Sequence, residues 1–287
     1  MRVGFVGLGD QGAPIAARIA AAGFDCAVWA RRPEALAPFR AGPARVVDAL
    51  ADLGEGIDLL GTCVFDAAGT REVLFGPDGV APAMPSGATI AVHSTIAPDE
   101  VRALADEAAK HGLHLLDAPV SGGRIRAEAG ELLTMAGGEQ STFARCEPVL
   151  RTFSAEVVHV GPVGAGQHAK LLNNALLAAH LALAADAFRI AELQGLDPAA
   201  FGKVVAAGSG RSFGVEMYAR AGGLASVARS QARPTLGKDV GLLAGSIGSE
   251  GDGGLLLPAA RAGIARLDAA ADGQEVTSAA AGSGFRS

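Results

Sequence analysis

The stretch GAGQHAKLLNN, Gly164 to Asn174, sets a lysine and an asparagine four residues apart where one of the most apolar runs of the chain begins. Lys170 leads into LLNNALLAAHLALAADAFRIAEL, which reads as a long, nearly all-round buried helix. A charge entering such a helix is costly unless it is paired or gives up its proton. Of 24 basic residues only four are lysine, so this chain otherwise writes its positive charge as arginine. Arginine stays protonated in proteins, whereas a buried lysine can titrate and exchange a proton. At i and i+4, Lys170 and Asn174 project from one helix face, where an amide can orient an ammonium or bind an oxygen without adding charge.

A second chemistry lies at the N-terminus. GLGDQG (Gly7, Leu8, Gly9, Asp10, Gln11, Gly12) follows a β-branched run, RVGFV, and opens a segment of helical spacing. In that setting Gly7 makes the tight turn, Gly9 lets a pyrophosphate approach the backbone, and Gly12 lets helix and strand pack closely. A chain with 40 glycines gives such a pattern little weight by itself; its place after the first strand gives it more. The next strand ends VWARRPE. An acidic residue at that tip would bind the ribose 2′-hydroxyl of NAD, and arginines accommodate a 2′-phosphate. Arg31 and Arg32 therefore predict NADP(H) as the preferred cofactor, with NAD(H) as the alternative.

The elements that must position these groups alternate through the first half. RVGFVGLG, FDCAVWA, GIDLLGTCVF, GATIAVHS, LHLLDAPV, ELLTMAGG and EVVHVGPVG read as strands. Helical stretches such as PDEVRALADEAAKHG, with an acidic start and a glycine stop, separate them. The fold class is α/β: a Rossmann-type, doubly wound, mostly parallel sheet over residues 1–163. No strand is expected from residue 164 to 287, an all-helical domain for substrate binding and subunit contact. The tail GQEVTSAAAGSGFRS is predicted to fray.

Bulk properties narrow the partners. A net charge of −6 argues against nucleic acid or an anionic membrane surface, so an anionic ligand needs a local site. The run after Lys170 approaches membrane length, but Asn173, Asn174, His180, Asp186 and Arg189 make it too polar for a span. Three widely spaced cysteines predict free thiols in a reducing cytoplasm, and no His/Cys/Asp cluster has metal-ligand spacing.

Five motifs in order, GLGDQG, HSTIAP (His93 to Pro98), DAPVSGG (Asp117 to Gly123), GPVGAGQHAKLLNN and GKD (Gly237 to Asp239), resemble the β-hydroxyacid dehydrogenases. That family includes 3-hydroxyisobutyrate dehydrogenases and tartronate semialdehyde and glyoxylate/succinic semialdehyde reductases. The resemblance spans nearly the whole chain. It implies hydride transfer between NAD(P) and the β-carbon of a short, anionic 3-hydroxy acid or semialdehyde, in a homodimer or homotetramer. It further implies Lys170 as general acid/base with Asn174 as helper, and Ser121, Gly122 and Gly123 holding the substrate carboxylate. Thr95 would touch the cofactor and Lys238 would lie near the nicotinamide. The chain departs from the family at Gln11 and Ala30, and at Arg124 and Arg126, which would admit a second anionic group on the substrate. Two readings compete: an imine reductase on the same fold, disfavoured by Lys170 and DAPVSGG, and a non-catalytic nucleotide-binding homologue, disfavoured by Lys170 with Asn174.

Overall fold

The computed structural model describes residues 1–247 and 253–273. The chain falls into two compact units, Met1–Leu171 and a second that opens at Leu172. The first unit runs β1 (Arg2–Val6), α1 (Gly12–Ala21), β2 (Asp25–Trp29), β3 (Arg45–Val46), β4 (Leu59–Thr62), α2 (Ala67–Phe75) and β5 (Thr89–Val92). It continues through α3 (Pro98–Lys110), β6 (His114–Asp117), β7 (Val120–Ser121), α4 (Gly123–Ala129), β8 (Leu132–Gly137), α5 (Gln140–Leu150) and β9 (Ser154–Gly161). Then α6 (Ala165–Leu193) begins. β9 ends at Gly161 and α6 starts at Ala165, while the two compact units divide inside α6, after Leu171.

The strands form one sheet in the order β3-β2-β1-β4-β5-β6-β8-β7, with β9 paired to β8. From β3 to β6 every pairing is parallel, with Val3 opposite both Cys26 and Leu59. β4 and β5 are buried at every position, because helices cover both faces of a parallel sheet. One face packs Phe5, Ile15, Ile19, Leu116 and Phe153; the other packs Leu60, Leu74, Ile90, Val101 and Leu104. The mostly parallel α/β sheet matches the expectation from sequence.

One stretch breaks differently from its reading. LHLLDAPV is not a single strand: β6 stops at Asp117, and Val120–Ser121 turns away to pair antiparallel with β8. Pro119, lacking an N–H, stands between the two and accepts from the Met135 N–H at 3.1 Å. β8 is also antiparallel to β6, at Asp117 and Gly137. The antiparallel turn places Ser121, Gly122 and Gly123 at a bend.

After α6 the second unit contains α7 (Pro198–Ala207), α8 (Phe213–Ala221), α9 (Leu224–Ala228), α10 (Ala232–Ile247) and α11 (Leu256–Ala271), with no strand among the described residues. Its core joins Leu181, Val227, Leu236 and Leu267. The Phe188 ring lies 5.0 Å from Phe201 and 4.8 Å from Tyr218, a compact use of few aromatics. Of the tail expected to fray, residues 274–287 lie outside those described. α6 is long and apolar enough to cross a membrane by length and composition alone, yet half of its most apolar window is buried inside the fold. Asp186 on this helix pairs with Arg266 at 2.9 Å.

α11 crosses α6 at Gly263, where an added Cβ would run into the backbone carbonyl of Ala178. Neither backbone can yield locally, so the helices must separate. Gly263→Ala is expected to cost about 1–3 kcal/mol, the usual range for overpacking, visible as a Tm lowered by several degrees; an unchanged melt would contradict the close crossing.

Candidate active site

The glycine fingerprint fulfils distinct steric roles. At Gly7 (φ 94°) a Cβ would collide with the Cys63 carbonyl, and at Gly12 it would collide with the Gly7 carbonyl. At Gly9 nothing lies within 4 Å of where a Cβ would sit. The first and last glycines are thus demanded by packing, while the middle one keeps the loop surface open at the N-terminus of α1. This combination suits a pyrophosphate, which needs close backbone approach and the positive end of a helix. A groove of about 330 Å³ lies over it, lined by Leu8, Gly9, Asp10, Pro14, Arg32, Glu34, Ala35 and Arg124. Gln11 sits at the N-cap of α1 without a capping side-chain bond. Arg31 and Arg32 are both exposed at the tip of β2, and Arg32 lines the groove.

The bend after β7 is built by glycines as well. Gly122 and Gly123 both take positive φ, 139° and 71°. A Cβ on Gly122 would press Leu132 at 2.9 Å, whereas Gly123 faces open space. Ser121, half-buried, pairs with Leu133 and leads directly into this bend. Bare N–H groups in a left-handed turn are a suitable concavity for an anion.

Two buried polar side chains hold these segments to the start of α6. Asp117, fully buried at the end of β6, accepts from the Gly164 N–H through Oδ1 and from the Gln167 N–H through Oδ2, each at 2.8 Å. It satisfies N–H groups that the first turn of a helix otherwise leaves without partners. Gly137 and Gly166 lie so near that a Cβ on either would strike this carboxylate. Gln167, also fully buried, donates to the Ser94 carbonyl at 2.8 Å and accepts from the Ile96 N–H at 3.1 Å. It therefore grips both neighbours of Thr95, which is half-buried. Lys170 is three residues further along the helix and only 7% exposed.

His93, the first residue of HSTIAP, is a structural group. Its ring stacks on Phe5 at 5.9 Å, meets Phe153 edge-on at 5.5 Å, and bonds the Ala118 carbonyl through Nδ1 at 2.8 Å. Burial pulls its pKa down to about 4, so the imidazole is neutral. His168 contacts Arg102 at 3.2 Å on the surface. Among the described residues no group of three His, Cys, Asp or Glu is arranged to hold a metal ion.

In the second unit, Asn174 is buried and donates through Nδ2 to Asp239 Oδ2 at 2.5 Å, while its Oδ1 accepts from Asn173 at 3.1 Å. Asp239 is fully buried, and Lys238 Nζ stands 3.7 Å from its other oxygen. Sequence reasoning quoted Asp239 only as part of GKD and missed its grip on Asn174. Nothing in the local spacing of α10 announces that partner, 65 residues away. Asp117 and Gln167 were missed for the same reason.

A parallel sheet with a glycine-turned first βα junction is the architecture of a dinucleotide-binding domain. Residues 2–161 match the NAD-binding domain of 6-phosphogluconate dehydrogenase, and residues 164–281 match the NAD-binding family of NADP-dependent 3-hydroxyisobutyrate dehydrogenase. The 3-hydroxyisobutyrate dehydrogenase of Pseudomonas aeruginosa is 35% identical over 216 residues, 75% of this chain and 72% of that protein. The L-threonate dehydrogenase of Cupriavidus necator is 35% identical over 212 residues, 74% of this chain and 71% of that protein. The structure of Mycobacterium tuberculosis 3-hydroxyisobutyrate dehydrogenase with L-serine superposes with a TM-score of 0.81 at 30% identity, covering 94% of this chain and 95% of that one. The chain belongs to the β-hydroxyacid dehydrogenase family, NAD(P)-binding oxidoreductases of small molecules.

The Asp117 clamp has a pH signature. Burial raises its carboxyl pKa above the ordinary 3.8, and the N–H groups of Gly164 and Gln167 offset only part of that shift. A proton held more tightly by the folded chain stabilises the fold below the ordinary value, and that contribution is lost as pH rises through the raised one. Asp117→Asn cannot titrate and turns an NH2 towards an N–H donor. The variant is expected to melt lower than wild type throughout, with a gap widest at acid pH and narrowing as pH climbs. Thermal melts across pH 4–8, roughly spanning carboxylate titration, check this; a gap that widens with pH would contradict it.

Proposed function

We propose that this chain is an NADP(H)-preferring dehydrogenase, or in reverse a reductase, acting at the β-carbon of a short 3-hydroxy acid or its semialdehyde. The observation carrying this reading is a buried lysine on a helix whose first turn is bonded to both neighbours of Thr95 and to the head of DAPVSGG. A bound nicotinamide supplies or accepts the hydride; the rest falls to side chains of this protein.

Oxidising an alcohol requires a base for the hydroxyl proton, and reducing the carbonyl requires an acid to return it. In this reading Lys170 is that group, and Asn174, one turn along α6, orients the reacting oxygen. The bond from Asn174 to Asp239 supports a fixed amide rotamer. Ser121, Gly122 and Gly123 hold the carboxylate at the bend, and the preference for β- over α-hydroxy acids follows from the family resemblance. Thr95 and Lys238 contact the cofactor. The backbone of the loop Gly7, Leu8, Gly9, Asp10, Gln11 and Gly12 receives its pyrophosphate, and Arg31 with Arg32 receives the 2′-phosphate. The relatives act on different hydroxy acids by their names, so the substrate is the open choice within this class. The reading includes a cytoplasmic enzyme assembled as a homodimer or homotetramer.

Lys170→Ala is expected to lower kcat at least about 100-fold, the low end of general acid–base contributions. Lys170→Arg should fail nearly as badly, because a permanent cation cannot accept the proton. An arginine variant that kept most of its turnover would leave only charge stabilisation for this residue. The substrate class is tested by following NADPH absorbance with glyoxylate, succinic semialdehyde, tartronate semialdehyde, methylmalonate semialdehyde, sulfolactaldehyde and a cyclic imine; turnover of the imine alone would favour an imine reductase.

The cofactor reading has its own check. Initial rates should favour NADPH over NADH, and Arg31→Ala with Arg32→Ala should raise the KM for NADPH while leaving that for NADH unchanged. A clear preference of the wild type for NADH would overturn it.

A further inference from the structure

The groove over the glycine fingerprint has a wall that the fingerprint does not supply. Arg124, from the first turn of α4, lines it together with Gly9, Asp10, Arg32 and Glu34. Two carboxylates flank its guanidinium, and one of them is bonded to it. Glu128 Oε1 accepts from Nε at 2.7 Å, and Asp10 Oδ1 lies 3.9 Å from Nη1. The Glu128 bond occupies only the Nε–H, and 3.9 Å is too long for a hydrogen bond. The Nη edge of the fork thus points towards the fingerprint loop with its donors not locked there.

Asp10 makes this arrangement matter. It puts a carboxylate directly beside Gly9, where the loop is open and where a pyrophosphate would need positive surroundings. By itself that charge would repel the ligand the loop is shaped for. We propose that Arg124 is a further residue of the dinucleotide site, its Nη groups pairing with pyrophosphate oxygens when the dinucleotide is bound and standing against Asp10 when it is not. This rests on the dinucleotide reading above and goes beyond the fingerprint and the Arg31–Arg32 pair. Both partners of the Asp10 contact are largely exposed, at 64% and 69%, so water and salt screen it and little is lost on breaking it. A guanidinium on phosphate oxygens makes two charge-assisted bonds in matched geometry, so the exchange runs towards the phosphate. Glu128 keeps the fork aimed throughout. Because NAD and NADP carry the same pyrophosphate, Arg124 serves both equally, and it is not the holder of a second anionic group on the substrate.

Dissociation constants measured by fluorescence titration test this with NADPH, NADH, ADP-ribose, which keeps the pyrophosphate, and 2′-AMP, which lacks it. Arg124→Ala is expected to weaken the first three by the same factor, about tenfold for a charge-assisted contact, and to leave 2′-AMP unchanged. Asp10→Asn should tighten the first three. Equal affinities in wild type and Arg124→Ala would overturn the proposal, as would a loss confined to NADPH and 2′-AMP, which would make Arg124 a reader of the 2′-phosphate. Unchanged cofactor constants with a raised KM for the acid substrate would return Arg124 to the substrate. Wild-type protein that bound neither dinucleotide would overturn the dinucleotide reading and this inference together, whereas intact binding that ignores Arg124 sinks the inference alone.

Discussion

A carboxylate buried to zero exposure needs a reason to be there, and Asp117 has one in the two N–H groups it accepts from the head of α6. Leaving those donors without a partner inside the fold would cost about 1–3 kcal/mol each. Gln167 adds a second tie, with its amide spent on the backbone either side of Thr95. These four bonds bind three segments distant in sequence, the HSTIAP loop, the DAPVSGG strand and the start of α6. Neutral His93 seals the same region from beneath, bonded to Ala118 and packed between Phe5 and Phe153. Lys170 follows one turn after Gln167, so its backbone position is set by groups that have no part in proton transfer. A rigid support of this kind is what the acid–base role proposed for Lys170 requires, because such catalysis depends on sub-ångström placement of the exchanging atoms.

The nucleotide end is governed by shape first and charge second. Gly7 and Gly12 are fixed by collisions with neighbouring carbonyls, and Gly9 is bare because the surface above it must stay open. Overall the chain is acidic, with a net charge of −6, so long-range attraction does not bring an anionic dinucleotide in. The groove beside the loop sets two cations, Arg32 and Arg124, against two carboxylates, Asp10 and Glu34. In the proposed reading, affinity at this groove depends on a few local pairs rather than on the field of the whole protein.

Much of this was legible in the sequence, and the parts that were not share a cause. The alternation of apolar strands with helices such as PDEVRALADEAAKHG declared the sheet, because period and caps are local properties. Lys170 stood out because a lone lysine in an apolar helix breaks the pattern around it. Asp117 did not, since a carboxylate ending a strand looks like any turn residue until its partners, 47 and 50 residues on, are folded against it. Asp239 hid in the same way behind a helix of ordinary polarity. The antiparallel turn at Val120–Ser121 escaped because DAPV continues the apolar run of β6, and only Pro119 marked the break. Arg124 was legible as a departure from the family, but which ligand it faces depends on the packing of α4 beside the fingerprint loop.

Proton transfer by a buried amine in a dinucleotide-dependent enzyme remains the claim on which the functional account stands. It is tested most directly by a crystal structure of the chain with NADP and a non-reacting 3-hydroxy acid bound together. The account predicts the Lys170 Nζ within about 2.6–3.2 Å of the hydroxyl oxygen, the reach a general base needs, with the carboxylate seated at Ser121, Gly122 and Gly123. A Lys170 side chain directed away from that oxygen, with another group in its place, would contradict it.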